Sequence, residues 1–406
     1  GSEMYPSVKM VHNVGEKRRK QARLNDRPYF MCEYAHAMGV GPGNTEAYWQ
    51  EIYNYDNLMG GCVWEMVDHA VLHTDGSYTY GGDHGEWEHD RNFCVDGLFY
   101  PDRSPSTGAK LMRFIYRPIR VAHVSGGQFE MFNTTAFSTG RYRLAFRWND
   151  GSKTILTPQT APLTKETVTV PLGRAVDGLL AVIVETTDTV TGQIVSEEQL
   201  VLAQEVAAAP AVKPLPGDVA VEKGRLVCRK SGEVVAAGAD EGTLLYRAPT
   251  DNDVDAMFHN LMVPYTRQTE ETVSTQQTAD GWQVVTKITN KRGHYMVTDT
   301  YKGTDSGVLV TSVLHRVSGS QEIPRFGKTF RLDEVFDAVH YVGRSGESYC
   351  DMKDQFPIRA VDCTVADMTE PNLRPQESGN RMDCTVASVS DGKTCVVFEA
   401  VGRPFE

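Results

Sequence analysis

Compact apolar runs alternate with polar, loop-like stretches over roughly the first 116 residues. Residues 28–32 (PYFMC) and 61–67 (GCVWEMV) are two such runs, short enough for buried strands. Between them, Thr45 to Leu58 reads as a helix. Asn44 or Thr45 can cap it, and Tyr48, Ile52 and Tyr55 fall at helical spacing. Strand, helix, strand with short connections is a βαβ unit, so the expected sheet is parallel. From about residue 117 the pattern becomes β alternation. Residues 141–150 (RYRLAFRWND) set Tyr142, Leu144, Phe146 and Trp148 on one face and arginines on the other, and 166–172 and 179–185 continue the series. Turn-separated alternation over about 90 residues predicts a β-sandwich. Residues 207–218 (AAAPAVKPLPGD) hold three prolines, too many for an element interior, and read as a linker. Beyond it, 282–288, 295–301, 308–314 and 394–400 predict a second, larger antiparallel domain.

The length of 406 residues fits two to four domains at roughly 150 residues each. A hydrophobic content of 40% and a charged content of 23% are those of an ordinary globular chain. No apolar stretch approaches the ~18–20 residues of a membrane helix, and no signal peptide opens the chain. The formal net charge is −12. The short basic run of Lys17, Arg18, Arg19, Lys20, Arg23 and Arg27 reads as a solvated helix face, and neither nucleic acid nor membrane is an expected partner. Eight cysteines (Cys32, Cys62, Cys94, Cys228, Cys350, Cys363, Cys384 and Cys395) are scattered without a CxxC pair, which points to reduced thiols and a cytoplasmic location. The opening Gly1-Ser2 and the stop just after a strand-like run read as a partial chain.

Candidate chemistry gathers in the first region. Glu33 follows the 28–32 run, with His36 and a glycine-rich loop behind it. A carboxylate at the C-terminal end of a barrel strand is a catalytic candidate, although a capping or salt-bridge role serves equally. Trp64 has the same placement in the next run and is either core or a platform for the apolar face of a sugar. The loop from Tyr80 to Arg103 crowds His84, Glu86, Glu88, His89 and Asp90 without a rigid metal-ligand spacing. A hard cation on oxygen ligands near Phe93 and Asp96 is the better fit. No GxSxG, P-loop or GxGxxG occurs, so acyl-transfer, phosphoryl-transfer and dinucleotide chemistry have no support.

Taken together, residues 27–39 (RPYFMCEYAHAMG), 60–70 (GGCVWEMVDHA), 80–83 (YGGD), 90–98 (DRNFCVDGL) and 247–253 (RAPTDND) resemble the large bacterial, lactose-cleaving β-galactosidases of glycoside hydrolase family 2, with weaker echoes in 343–351 and 374–381. The resemblance implies a multidomain chain of α/β plus all-β architecture. Residues 1–116 would be the C-terminal part of a TIM barrel, 117–206 an immunoglobulin-like sandwich, 207–218 the Pro-rich linker, and 219–406 a truncated large β-sandwich. It implies Glu33 as the nucleophile of a covalent galactosyl-enzyme and Tyr5 as the phenol that orients or protonates it. His36, Trp64 and Asp96 would contact galactose, and the Phe93 carbonyl with Asp96 would hold sodium. Asp96 stands where the best-known members have Asn, which implies cation binding as tight or tighter and a changed ion preference. The acid/base Glu, the magnesium ligands and the first barrel strands would lie upstream, so the missing N-terminal part of the barrel is an implied partner. The chain alone would then be inactive, since retaining hydrolysis needs a second carboxyl about 5–5.5 Å from the first. The intact enzyme would be a homo-oligomer. A related β-glycosidase of the same family, such as a β-glucuronidase or β-mannosidase, and a non-catalytic complementing fragment are the alternatives.

Overall fold

The computed structural model describes residues 1–20, 24–251, 267–321 and 323–405. Arg23 of the basic run and the last two residues of the 247–253 motif lie outside them.

The first region forms a three-stranded, wholly parallel sheet of β1 (Ser2–Met4), β2 (Tyr29–His36) and β3 (Leu58–Trp64), in that order. Helix α1 (Val8–Gly15) links the first two strands and α2 (Thr45–Asn54) the next two, while α3 (Thr107–Ile115) closes the region. α1 starts where the Ser7 hydroxyl accepts the Met10 N–H, and α3 where the Ser106 hydroxyl accepts the N–H groups of Gly108 and Ala109, satisfying donors that a helix start otherwise leaves unpaired. One face of the sheet packs on the helices. Tyr29, Met31 and Tyr34 meet Val11, Val14, Leu111 and Ile115 in a single apolar cluster. The opposite face leaves Phe30, Cys32, Met59 and Cys62 exposed.

Three expectations need adjustment here. The second helix ends at Asn54, before Leu58, and the Asn44 side chain makes no capping bond. The basic run is not a helix face, because α1 stops at Gly15. Lys17 instead pairs with Asp26 at 3.2 Å, and the Arg19 guanidinium lies over the Tyr29 ring. Glu33 sits within β2 rather than at its end.

Residues Ile119 to Gln204 form two facing antiparallel sheets, one of three strands and one of four. Their inner faces bury Phe129, Leu144, Phe146, Trp148, Val182 and Val184, following the alternation read in the sequence. At the junction with the first region, the buried Glu198 carboxylate pairs with Arg117 at 2.9 Å and accepts the Val121 N–H at 3.1 Å. Arg120 reaches Glu46 of α2 at 2.5 Å.

From Val219 onward the described residues form three four-stranded antiparallel sheets and a two-stranded ladder. The Pro-rich 207–218 stretch is pinned to this part by isolated bridges, Ala207 to Val401 and Lys213 to Gly303. Among the described residues, no helix is long and apolar enough to cross a membrane.

Candidate active site

Glu33 owes its setting to an irregularity in β2. Along β1 the register steps from Met31 to Glu33, and along β3 it jumps from Met31 to Ala35 while β3 advances only from Gly61 to Val63. The extra residues form a bulge, which re-aims a side chain that regular alternation would have placed otherwise. The Glu33 carbonyl accepts the Tyr5 N–H at 2.7 Å, and the Tyr5 phenol lies beside the Glu33 carboxylate. Tyr5 holds φ 46°, a left-handed conformation that costs a non-glycine residue energy and is fixed here by that backbone bond. Burial and the adjoining Glu33 carboxylate push the Tyr5 phenol well above its ordinary range, so it keeps its proton.

Asp96 anchors the other side. It is 1% exposed, and its Oδ2 receives the Trp64 indole N–H at 3.1 Å and faces His36 Nε2 at 3.2 Å. The His36 ring stacks against Phe93 at 5.9 Å and meets Tyr5 edge-on at 6.3 Å. Tyr5, Glu33, His36, Trp64, Phe93 and Asp96 therefore form one connected group, reached from β1, β2, β3 and the 90–98 loop. Gly97 lets that loop press against the chain after β3, since a Cβ there would run into the backbone of Val67 and Asp68. Trp64 stays 42% exposed, leaving much of its indole open to a ligand.

Two further carboxyls belong to this rim and were not singled out from the sequence. Glu65 is raised by burial and by a hydrogen bond to the Asp96 carboxylate. Asp96 Oδ1 is fully buried and accepts no hydrogen bond among the described residues. Asp68 is 8% exposed and is pushed up to about 6, chiefly by burial, although the Gly97 N–H donates to it at 2.7 Å. The motif 60–70 contains both, but sequence shows neither their burial nor their proximity to Asp96.

The C-terminal sheets also reach this rim. Arg374 donates to the Asn92 side chain at 2.8 Å and lies 3.4 Å from the buried Asp251 carboxylate. Gln376 donates to Asp251 at 2.7 Å, and the Tyr100 hydroxyl donates to Glu370 at 2.7 Å. Residues more than 260 positions apart thus hold the loop that carries Phe93 and Asp96. The acidic and histidine-rich stretch is partly spent on its own turn: Glu86 accepts the backbone N–H groups of Gly82 and His84.

Residues 1–121 match the TIM barrel domain of glycosyl hydrolases family 2, and residues 220–405 match the beta galactosidase small chain. By these two matches the chain resembles glycoside hydrolase family 2. It is similar to a beta-galactosidase of Staphylococcus xylosus, 27% identical over 96% of this chain and 44% of that protein. It is similar to one of Priestia megaterium, 28% identical over 90% of this chain and 40% of that protein. One of Klebsiella pneumoniae is 49% identical over 83 residues, 20% of this chain and 8% of that protein. The chain therefore spans less than half the length of these relatives.

Proposed function

We propose that this chain carries the nucleophile half of a retaining β-galactosidase site, releasing terminal β-D-galactose from β-galactosides such as lactose. The supporting observation is the connected group of Tyr5, Glu33, His36, Trp64 and Asp96 on one rim of a parallel sheet. The beta-galactosidase relatives favour galactose as the sugar.

In this reading Glu33 attacks the anomeric carbon while the aglycone leaves, giving a glycosyl ester that water then hydrolyses. Tyr5 remains protonated and donates to the carboxylate, which holds it in one orientation and returns to it when the ester is broken. The Trp64 indole takes the C–H face of galactose while its N–H stays engaged on Asp96. His36 is set by Asp96 and by stacking on Phe93, placing a ring nitrogen near the sugar hydroxyls.

A sodium ion fits the donor set, because Asp96 Oδ1 is a buried anionic oxygen without an N–H partner and no backbone N–H engages the Phe93 carbonyl among the described residues. Asp96 and the Phe93 carbonyl would hold it, and its charge would fix an oxygen of the substrate. The acid/base carboxyl and the magnesium ligands are, in this reading, supplied by residues outside these 406, so the chain alone does not turn over and the whole enzyme assembles as a homo-oligomer.

The test is reaction with a 2-fluoro-galactoside bearing a strongly activated leaving group, followed by peptide mass mapping. Such a group departs without a proton donor, so the first step needs only the half-site. An adduct on Glu33 that is absent from Glu33→Gln is expected. An adduct on another carboxylate would overturn the assignment, and lactose turnover by the pure chain would overturn the inactivity.

A further inference from the structure

The interior of the C-terminal sandwich is interrupted by charge. Two facing sheets contribute to it. One contains Arg225–Lys230, Glu233–Leu244 and Gly327–Arg331, and the other Thr269–Thr278, Gly281–Asn290 and Gly293–Gly303. Their apolar interior is split into two clusters, one around Leu245, Ile288, Tyr295 and Val297, the other around Leu226, Val284 and Tyr301. A linked set of polar side chains lies in the same interior. Lys328 Nζ donates to Asp299 Oδ2 at 2.5 Å and to Thr243 Oγ1 at 2.6 Å. The Ser312 hydroxyl donates to Asp299 Oδ1 at 2.6 Å. Glu270 Oε1 accepts both the Thr243 N–H at 3.1 Å and the Gln268 amide at 3.0 Å. Asp299 is 2% exposed and Thr243 1%. Ion pairs this deep cost more than the apolar side chains that would otherwise fill the space.

Of these, Lys328, Asp299, Thr243 and Glu270 line a cavity of about 60 Å³ that opens to solvent. Its unspent hydrogen-bonding capacity is mixed. Lys328 has used two of its three ammonium protons. Glu270 Oε2 takes no hydrogen bond among the described residues, and Thr286 offers a hydroxyl. The rings of Tyr301 and Phe330 complete the wall. Burial raises the Glu270 carboxyl, with Lys328 and Arg225 pulling it the other way. A charged ligand of either sign would meet a like charge here, Lys328 or Asp299. A neutral ligand whose groups both donate and accept would use every open position, and vicinal hydroxyls do so. The volume admits one hydroxyl-bearing edge of such a molecule, with the remainder facing out.

We propose that this cavity is a second binding site, separate from the Glu33 rim, for the edge of a neutral polyhydroxylated small molecule such as a sugar or polyol. The inference does not depend on the catalytic reading, since none of its residues belongs to the Glu33 group.

The experiment is a titration of the whole chain with D-galactose, and separately with glycerol, followed by saturation-transfer NMR and calorimetry. Gly242 lines the cavity, and a Cβ there would meet only the Ala239 carbonyl at 3.4 Å, so Gly242→Leu fills the space without touching the charges. Trp64→Ala removes the indole of the other site. The site stands if Gly242→Leu weakens glycerol binding at least roughly tenfold, the scale of losing a hydrogen bond to a charged group, while Trp64→Ala leaves glycerol binding unchanged, the galactose titration reading both sites together. Any other pattern overturns it, including no binding to the parent chain, which would mean that the cavity holds only water. Circular dichroism checks folding, and should the leucine unfold the sandwich, the near-isosteric Glu270→Gln takes its place in the same rule.

Discussion

Replacing Asp68 by Asn tests the electrostatics of the rim without touching the Glu33 group. In the folded chain the Asp68 carboxyl is pushed up from 3.8 to about 6, first by burial and then by the nearby Asp96 charge. Between those values the native chain holds a proton that the unfolded chain has lost. Stability from this group is therefore complete below about pH 4, falls as pH rises, and is lost above about pH 6. The gap of about two units corresponds to a ceiling of about 3 kcal/mol at pH 7.5, and solvent relaxation around a group near the surface reduces that to about 1–2 kcal/mol. Asn keeps an oxygen to accept the Gly97 N–H and carries no charge to desolvate. Asp68→Asn should therefore be more stable than the parent at pH 7.5 by that amount and equal to it near pH 4. Urea unfolding followed by tryptophan fluorescence reads the change, because Trp49, Trp64 and Trp87 all lie in the first region. A parent chain more stable than the variant at pH 7.5, or an advantage that grows toward acid, would refute the reasoning.

Two other perturbations probe how the parts are joined. Arg374→Ala removes the bond to Asn92 and leaves the buried Asp251 carboxylate without its cation. Because Arg374 is half exposed, the expected loss is about 1–2 kcal/mol, read as faster amide exchange across residues 92–98 with no change at Tyr142–Trp148. Arg117→Met strands the buried Glu198 carboxylate, which burial already raises. The expected cost is about 3–5 kcal/mol at pH 8, shrinking toward pH 5 as Glu198 takes up a proton, and equal destabilisation at both pH values would count against that account.

The elements were legible because periodicity states which face of a strand is buried. Leu144, Phe146 and Trp148 point inward as their alternation requires, and the two apolar runs flanking α2 do pair in parallel. Periodicity carries no information about register, which is where the site is made. Tyr5 and Glu33 meet because β1 and β2 lie side by side and a bulge displaces Glu33 from the regular pattern. Read along the chain, Glu33 belonged at a strand end, whereas the structure puts it mid-strand. Charge was misread for a related reason. Composition placed the basic run on a helix, but α1 ends before it, and Lys17, Arg18 and Arg19 find local partners in Asp26, Glu16 and Tyr29.

Partners distant in sequence follow the same logic. Arg374 has no feature that marks it as a neighbour of Asn92, because a hydrogen bond across 282 positions depends on how distant parts of the chain pack. That packing gives the distal sheets a mechanical role at the rim. The 90–98 loop is held from one side by Trp64 and His36 through Asp96, and from the other by Arg374 through Asn92. A loop fixed at only one of these points could swing Phe93 and Asp96 away from the indole. Fixing it at both keeps a buried anion, an open aromatic face and a carboxylate in register, which is the preorganisation the proposed sugar site needs before any chemistry begins.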